Sequence, residues 1–116
     1  MAVLRIVPNL YTDSVSSAER FYREILQLNV VMDQGWIVTY STSAQMNPQI
    51  SVIESGGSSA PVPDVSIEVD NLDEIYQRVK NTELEVLYEL TQEPWGVRRF
   101  IVRDPLGKSI NILEHL

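Results

Sequence analysis

The chain's chemistry has to come from carboxylates, arginines, amides and aromatic rings. There is no cysteine, and the single histidine, His115, is the second residue from the C-terminus. Disulfides, thiolate metal sites and cysteine nucleophiles are therefore excluded, and no Gly-x-Ser-x-Gly run marks a serine nucleophile. Asp64 and Glu68 lie four residues apart, a spacing that puts both carboxylates on one face of a β-strand. Such a pair does general acid–base work when one pKa is raised. Arg99 and Arg103 share that face in the sequence pattern, and an ion pair with them is the favoured reading. Asn9, Ser66 and Asn111 add short polar groups of the same parity. Tyr11 reads as the wall of a cavity, and Trp95, before Gly96, as a rim residue able to stack on a flat ligand. Arg99 facing inward would suit an anionic group. His115, alone at the terminus, reads as a surface residue.

The elements that must position these groups occur in two copies. Shifting the sequence by 60 places lays Gln49–Glu54 on Ser109–Glu114, terminal glutamate included, and Tyr40 on Phe100. A shift of 57 lays Val7–Val15 on Asp64–Leu72. Each copy reads strand–helix–strand–strand–strand, with repeats at about 1–55 and 62–116 of a single domain. Strands are expected at Leu4–Thr12, Val30–Met32, Trp36–Ser41, Gln49–Glu54, Asp64–Val69, Leu84–Leu90, Val97–Arg103 and Ser109–Glu114. Pro8, which lacks an N–H, puts the first strand at an edge or at a bulge. Asp13-Ser14 caps a helix over Val15–Leu26 with the stripe Val15, Ala18, Phe21, Tyr22 and Ile25. Asn71 and Glu74 form a capping box for a helix over Leu72–Asn81. A loop falls around Met46-Asn47-Pro48, and Ser55–Pro63 has the small, proline-ended composition of a linker. Asp104-Pro105-Leu106-Gly107 is the turn of the last hairpin.

Alternation then sorts the strands into two faces. Leu4, Ile6, Leu10, Ile50, Val52, Val65, Ile67, Val69, Phe100, Val102, Ile110 and Ile112 form the apolar face on which the helices must pack. The opposite face carries Val7, Asn9, Tyr11, Ser51, Asp64, Ser66, Glu68, Arg99, Arg103 and Asn111, too polar for a dry core. It is either a solvated sheet face or the concave lining of a ligand cavity, and alternation does not choose between them.

The 116 residues are 44% hydrophobic, enough for one globular domain with a real core. The net charge of −7 argues against a nucleic-acid backbone as partner and is compatible with a cationic ligand. The N-terminus lacks the pattern of a signal peptide and no apolar run is long enough to span a membrane, so a cytoplasmic protein is expected.

The run Asp13–Tyr22 resembles the D-x-x-x-S-x-x-F-Y helix entry of the vicinal oxygen chelate superfamily, with Ser14 at the usual Asp and Ala18 at the usual Ser. Trp95-Gly96, Phe100, Asp104-Pro105-x-Gly107 and Ile110-Asn111 resemble its W-G…F…D-P-x-G…I-E ending. The superfamily includes glyoxalase I, extradiol dioxygenases and bleomycin-resistance proteins. The resemblance implies an α+β fold of two βαβββ modules, a curved mixed sheet around a cavity with helices on the convex face, and a homodimer. The metal-binding positions of such enzymes carry over to Val7, Asp64 and Asn111, with Ser51 as a related position. Valine has no lone pair and asparagine is a weak neutral ligand, so no metal and no cofactor are expected. The expectation is a small-molecule-binding protein, akin to the bleomycin-resistance branch, for a cationic or aromatic ligand. The alternative is a glyoxalase-type lyase, isomerase or dioxygenase with an atypical metal or a metal-free acid–base site, its candidates being Asp64 and Glu68. The ligand-binding set is Asn9, Tyr11, Asp64, Ser66, Glu68, Trp95, Arg99 and Asn111.

Overall fold

The computed structural model describes residues 3–43 and 49–116; the loop expected around Met46–Pro48 lies outside them. Contacts divide the chain into two compact units: Val7–Val62, and Pro63–Leu116 together with the start of the first strand up to Ile6. The fold is α+β, with parallel and antiparallel strand pairs in both units.

The Pro63–Leu116 unit runs β5 (Val65–Val69), α1 (Leu72–Lys80), β6 (Val86–Glu93), β7 (Val97–Arg103) and β8 (Ser109–His115). Its strands lie in the order β5-β8-β7-β6. The β5–β8 pair is parallel, as a strand–helix crossover requires, and β8–β7–β6 are antiparallel neighbours. The alternation expected of β5, β7 and β8 holds. Val69, Phe100, Val102 and Ile112 bury one side against Leu72, Ile75, Tyr76 and Val79 of α1. The Tyr76 ring meets Phe100 edge-on at 4.9 Å. Phe100 and Leu72 are fully buried, each worth about 1.5–3 kcal/mol of transfer free energy.

The Val7–Val62 unit repeats the plan with β1 (Val3–Tyr11), β2 (Asn29–Asp33), β3 (Ile37–Ser41) and β4 (Gln49–Ile53), in the order β2-β3-β4-β1. The β1–β4 ladder covers Asn9–Tyr11, so Pro8 sits just before it and withholds no hydrogen bond from it. The helix expected over Val15–Leu26 is instead a 3₁₀ turn, Val15–Ala18, followed by a π-helical stretch, Arg20–Ile25. Three serines near its start explain part of this. Ser17 donates its hydroxyl back to the Ser14 carbonyl at 2.7 Å, competing with the α-helical pattern. Only part of the expected stripe is seated. Val15, Ala18 and Tyr22 pack on Val38, Tyr40 and Val52, while Phe21 and Ile25 are exposed.

The capping expected from local residues is supplied from afar. Neither Ser14 nor Asn71 caps with its side chain. The Val15 N–H instead donates to the Glu54 carboxylate at 2.7 Å, and the Leu72 N–H to the Glu114 carboxylate at 3.4 Å. These are the two glutamates that the repeat superposes. Each brings a negative charge from the last strand of its unit to a helix start.

Two further expectations change. Leu4, Ile6 and Leu10 are 57%, 59% and 43% exposed, because the short irregular helix covers β3 and β4 but not β1. The composition of Ser55–Pro63 suggested a loose linker, yet Gly56, Gly57, Ala60 and Pro63 are buried. Ser58 and Ser59, both at positive φ, turn the chain so that the Ala60 N–H reaches the Gly57 carbonyl at 2.8 Å. No helix among the described residues is long and apolar enough to cross a membrane.

Candidate functional site

The side of the Pro63–Leu116 sheet away from α1 gathers Ser66, Glu68, Arg99 and Asn111. Cross-strand register aligns Ser66 with Asn111 and Ile101, and Glu68 with Leu113 and Arg99. The middle of this face is buried, with Ile101, Leu113, Arg99 and Asn111 all at most 7% exposed, while Ser66 and Glu68 are half-buried and Arg103 and His115 exposed. A buried polar face must satisfy itself, and the pairing shows how it does so.

At one end, Arg99 and Glu93 form a buried ion pair with Nε donating to Oε2 at 2.7 Å. The Tyr88 hydroxyl adds a second donor to Glu93 at 3.0 Å. The Arg99 guanidinium lies 5.0 Å from the Tyr88 ring and 5.1 Å from the Trp95 ring, close enough for cation–π attraction to both. Arg99 is thus a structural cation that fixes Trp95 in the β6–β7 turn, and its charge is already matched. The expected partners differ accordingly: Arg99 pairs with Glu93, Arg103 with Glu85, and Glu68 with Arg5.

In the middle, Asn111 donates its amide to the Ser66 hydroxyl at 3.1 Å. Its carbonyl oxygen Oδ1 is buried and receives no hydrogen bond among the described residues. At the other end, Glu68 accepts from Arg5 Nε at 2.8 Å and contacts His115 Nδ1 at 2.9 Å. Burial pushes the Glu68 carboxyl up, but the His115 hydrogen bond and the Arg5 charge outweigh it and hold it below the usual carboxylate range.

Of the expected site residues, Ser66, Glu68, Trp95, Arg99 and Asn111 belong to this unit and share the face or its rim. Asp64 precedes β5, is exposed, and accepts from the Ser109 N–H and hydroxyl at 3.0 and 3.1 Å, so it ties two strand starts together. Asn9 and Tyr11 lie in the other unit, Asn9 buried opposite Ser51 and Tyr11 66% exposed. There Ser51 bonds Thr39 at 2.7 Å, while the repeat makes the Asn9–Ser51 register pair the counterpart of Ser66–Asn111. His115, Glu93, Tyr88 and Arg5 were not expected. His115 has the parity of Asn111, and carrying β8 one residue past Glu114 was the signal that would have found it.

These donors do not fit a transition metal. Asp64, at a carried-over ligand position, is engaged with Ser109, Asn111 is an amide, and Val7 cannot ligate. No group of three or more histidine, cysteine, aspartate or glutamate side chains converges among the described residues.

The sequence matches the glyoxalase-like domain family over residues 6–116. No curated protein matches it. Solved structures share its fold at low identity. A protein described as the NAD-dependent benzaldehyde dehydrogenase of Legionella pneumophila is 15% identical with a TM-score of 0.77, covering 97% of this chain and all of its own. A glyoxalase/bleomycin resistance protein/dioxygenase superfamily member from Vibrio splendidus is 18% identical with a TM-score of 0.67, covering 97% of this chain and 99% of its own. An uncharacterised protein from Methanosarcina mazei is 22% identical with a TM-score of 0.65, covering all of this chain and 95% of its own. With the duplicated β-helix-βββ units and the Asp-Pro-x-Gly hairpin, the match over nearly the whole sequence places the chain in the glyoxalase-like domain family.

Proposed function

We propose that this chain is a cytosolic, homodimeric small-molecule-binding protein of the sequestering kind, working without a metal. Its ligand lies on the polar face of the Pro63–Leu116 unit. The observation that carries this reading is the Asn111 Oδ1, a buried acceptor with no donor among the described residues. Leaving such an atom unpaired costs about 1–3 kcal/mol, which a ligand N–H or O–H recovers on binding. Trp95, oriented by Arg99, offers a flat apolar wall. Glu68 brings little net charge because Arg5 offsets it. The ligand class that fits is a planar aromatic with a hydrogen-bond donor. The exposed Leu4, Ile6 and Leu10 on one side of β1 support the dimer.

A panel of phenols and aromatic amides, titrated while thermal unfolding is followed, tests the reading. A binder raises the midpoint by mass action in the wild type and loses that effect in Asn111→Leu. If no compound distinguishes the two proteins, the reading fails.

One observation favours a catalytic alternative. With Nδ1–H donating to Glu68, His115 presents Nε2 as a lone pair able to take a proton, the arrangement of a carboxylate-oriented general base. Turnover that disappears in both His115→Gln and Glu68→Gln would support that alternative over sequestration.

A further inference from the structure

The Val7–Val62 unit has its own cleft of about 650 Å³, on the helix side of its sheet. That volume is in the range of small-ligand sites. Val15 and Val38 give it an apolar floor, and Glu19, Arg23, Asp33 and Tyr40 supply its polar groups. The cleft lies beside the 3₁₀ and π-helical stretch, an irregularity that recurs where helices serve a function.

Its charges are not balanced. Arg23 pairs with Glu19 at 2.8 Å. Asp33 takes the Gly35 N–H on Oδ1 at 2.9 Å and forms no ion pair among the described residues. Tyr40 is 2% exposed, its ring stacks on Tyr22 at 5.4 Å, and its hydroxyl has no hydrogen-bond partner among the described residues. Burial, then the neighbouring Glu19 and Asp33 carboxylates, push the Tyr40 hydroxyl above its ordinary range. Both carboxylates are therefore felt at that oxygen. A hydroxyl that opens on the cleft with no partner among the described residues, beside one carboxylate in excess, suits a ligand that donates hydrogen bonds and carries positive charge.

We infer that the cleft between the first helix and β2–β3 is a second binding site, for an organic ammonium ion with an apolar body. The ammonium group pairs with Asp33 and donates to the Tyr40 hydroxyl, while the body rests on Val15 and Val38. This site is separate from the polar face of the Pro63–Leu116 unit.

The test is an amide NMR titration of the whole chain with 2-phenylethylamine, with 2-phenylethanol and 3-phenylpropionate as neutral and anionic controls. Saturable shifts at Gly35, Val38 and Tyr40 are expected with the amine and not with the controls. Asp33→Asn keeps the acceptor for Gly35 and should raise the Kd about tenfold. Tyr40→Phe keeps the stacked ring and should raise it about threefold. No saturable shift, equal response to the alcohol, wild-type affinity in Asp33→Asn, or shifts gathered at Trp95 and His115 would each overturn the inference.

Discussion

Replacing Asn111 by leucine removes an orphaned acceptor of similar volume. The apo protein should gain stability on the order of 1 kcal/mol, after losing the Ser66 contact, while ligand stabilisation vanishes. Glu68 makes a pH prediction with a definite sign. Its folded pKa lies below its ordinary value of 4.5, so its contribution is present above the unfolded value and is lost as pH falls through the folded one. Denaturant unfolding should show wild type more stable than Glu68→Gln at pH 7, with the gap closing towards pH 3. The buried Arg99–Glu93 pair predicts asymmetry. Arg99→Met alone should cost about 3–5 kcal/mol by stranding a buried carboxylate, and Arg99→Met with Glu93→Leu much less. At this scale the sequence was readable where parity decides: Ser66, Glu68, Arg99 and Asn111 do share a face. The partners were not readable. Arg5 reaches Glu68 across 63 positions, a pairing that local spacing does not encode.

The two helices differ in a way exchange kinetics will register. Amides of Val15–Ile25 should exchange at least about tenfold faster than those of Leu72–Lys80, since the 3₁₀ and π turns bond poorly and bury less. A helical wheel cannot separate an α-helix from this mixture, which is why Phe21 and Ile25 seemed to belong to the packed stripe. The repeated glutamates were visible in the sequence, but their task was not. The helix N–H that each one caps is 39 or 42 positions away. Glu54→Ala should cost about 1 kcal/mol. Glu114→Ala should cost more, because the same carboxylate also holds Arg98 at 3.2 Å.

For the molecule as a whole, the repeat revealed the order of the elements, and register then followed from alternation. Which apolar residues stay uncovered depends on the length and seating of a helix, and composition does not report that. Leu4, Ile6 and Leu10 therefore pass from core to surface. Sedimentation should find a dimer that Ile6→Lys converts to monomer without loss of secondary structure. The segment between the repeats is equally unlike its composition. A Cβ on Gly56 would come within 2.2 Å of the Ala60 carbonyl and 2.3 Å of that of Pro61. Gly56→Ala should destabilise by at least about 2 kcal/mol.

β1 has a divided allegiance: up to Ile6 it counts with Pro63–Leu116, and from Val7 onward with its own helix and hairpin. The boundary between the sequence repeats and the boundary between the compact units therefore fall at different places. A chain beginning at Pro63 would lack Arg5, leaving Glu68 to His115 alone among the described residues. A cut at the Gly-Ser stretch would therefore part Arg5 from the carboxylate it neutralises.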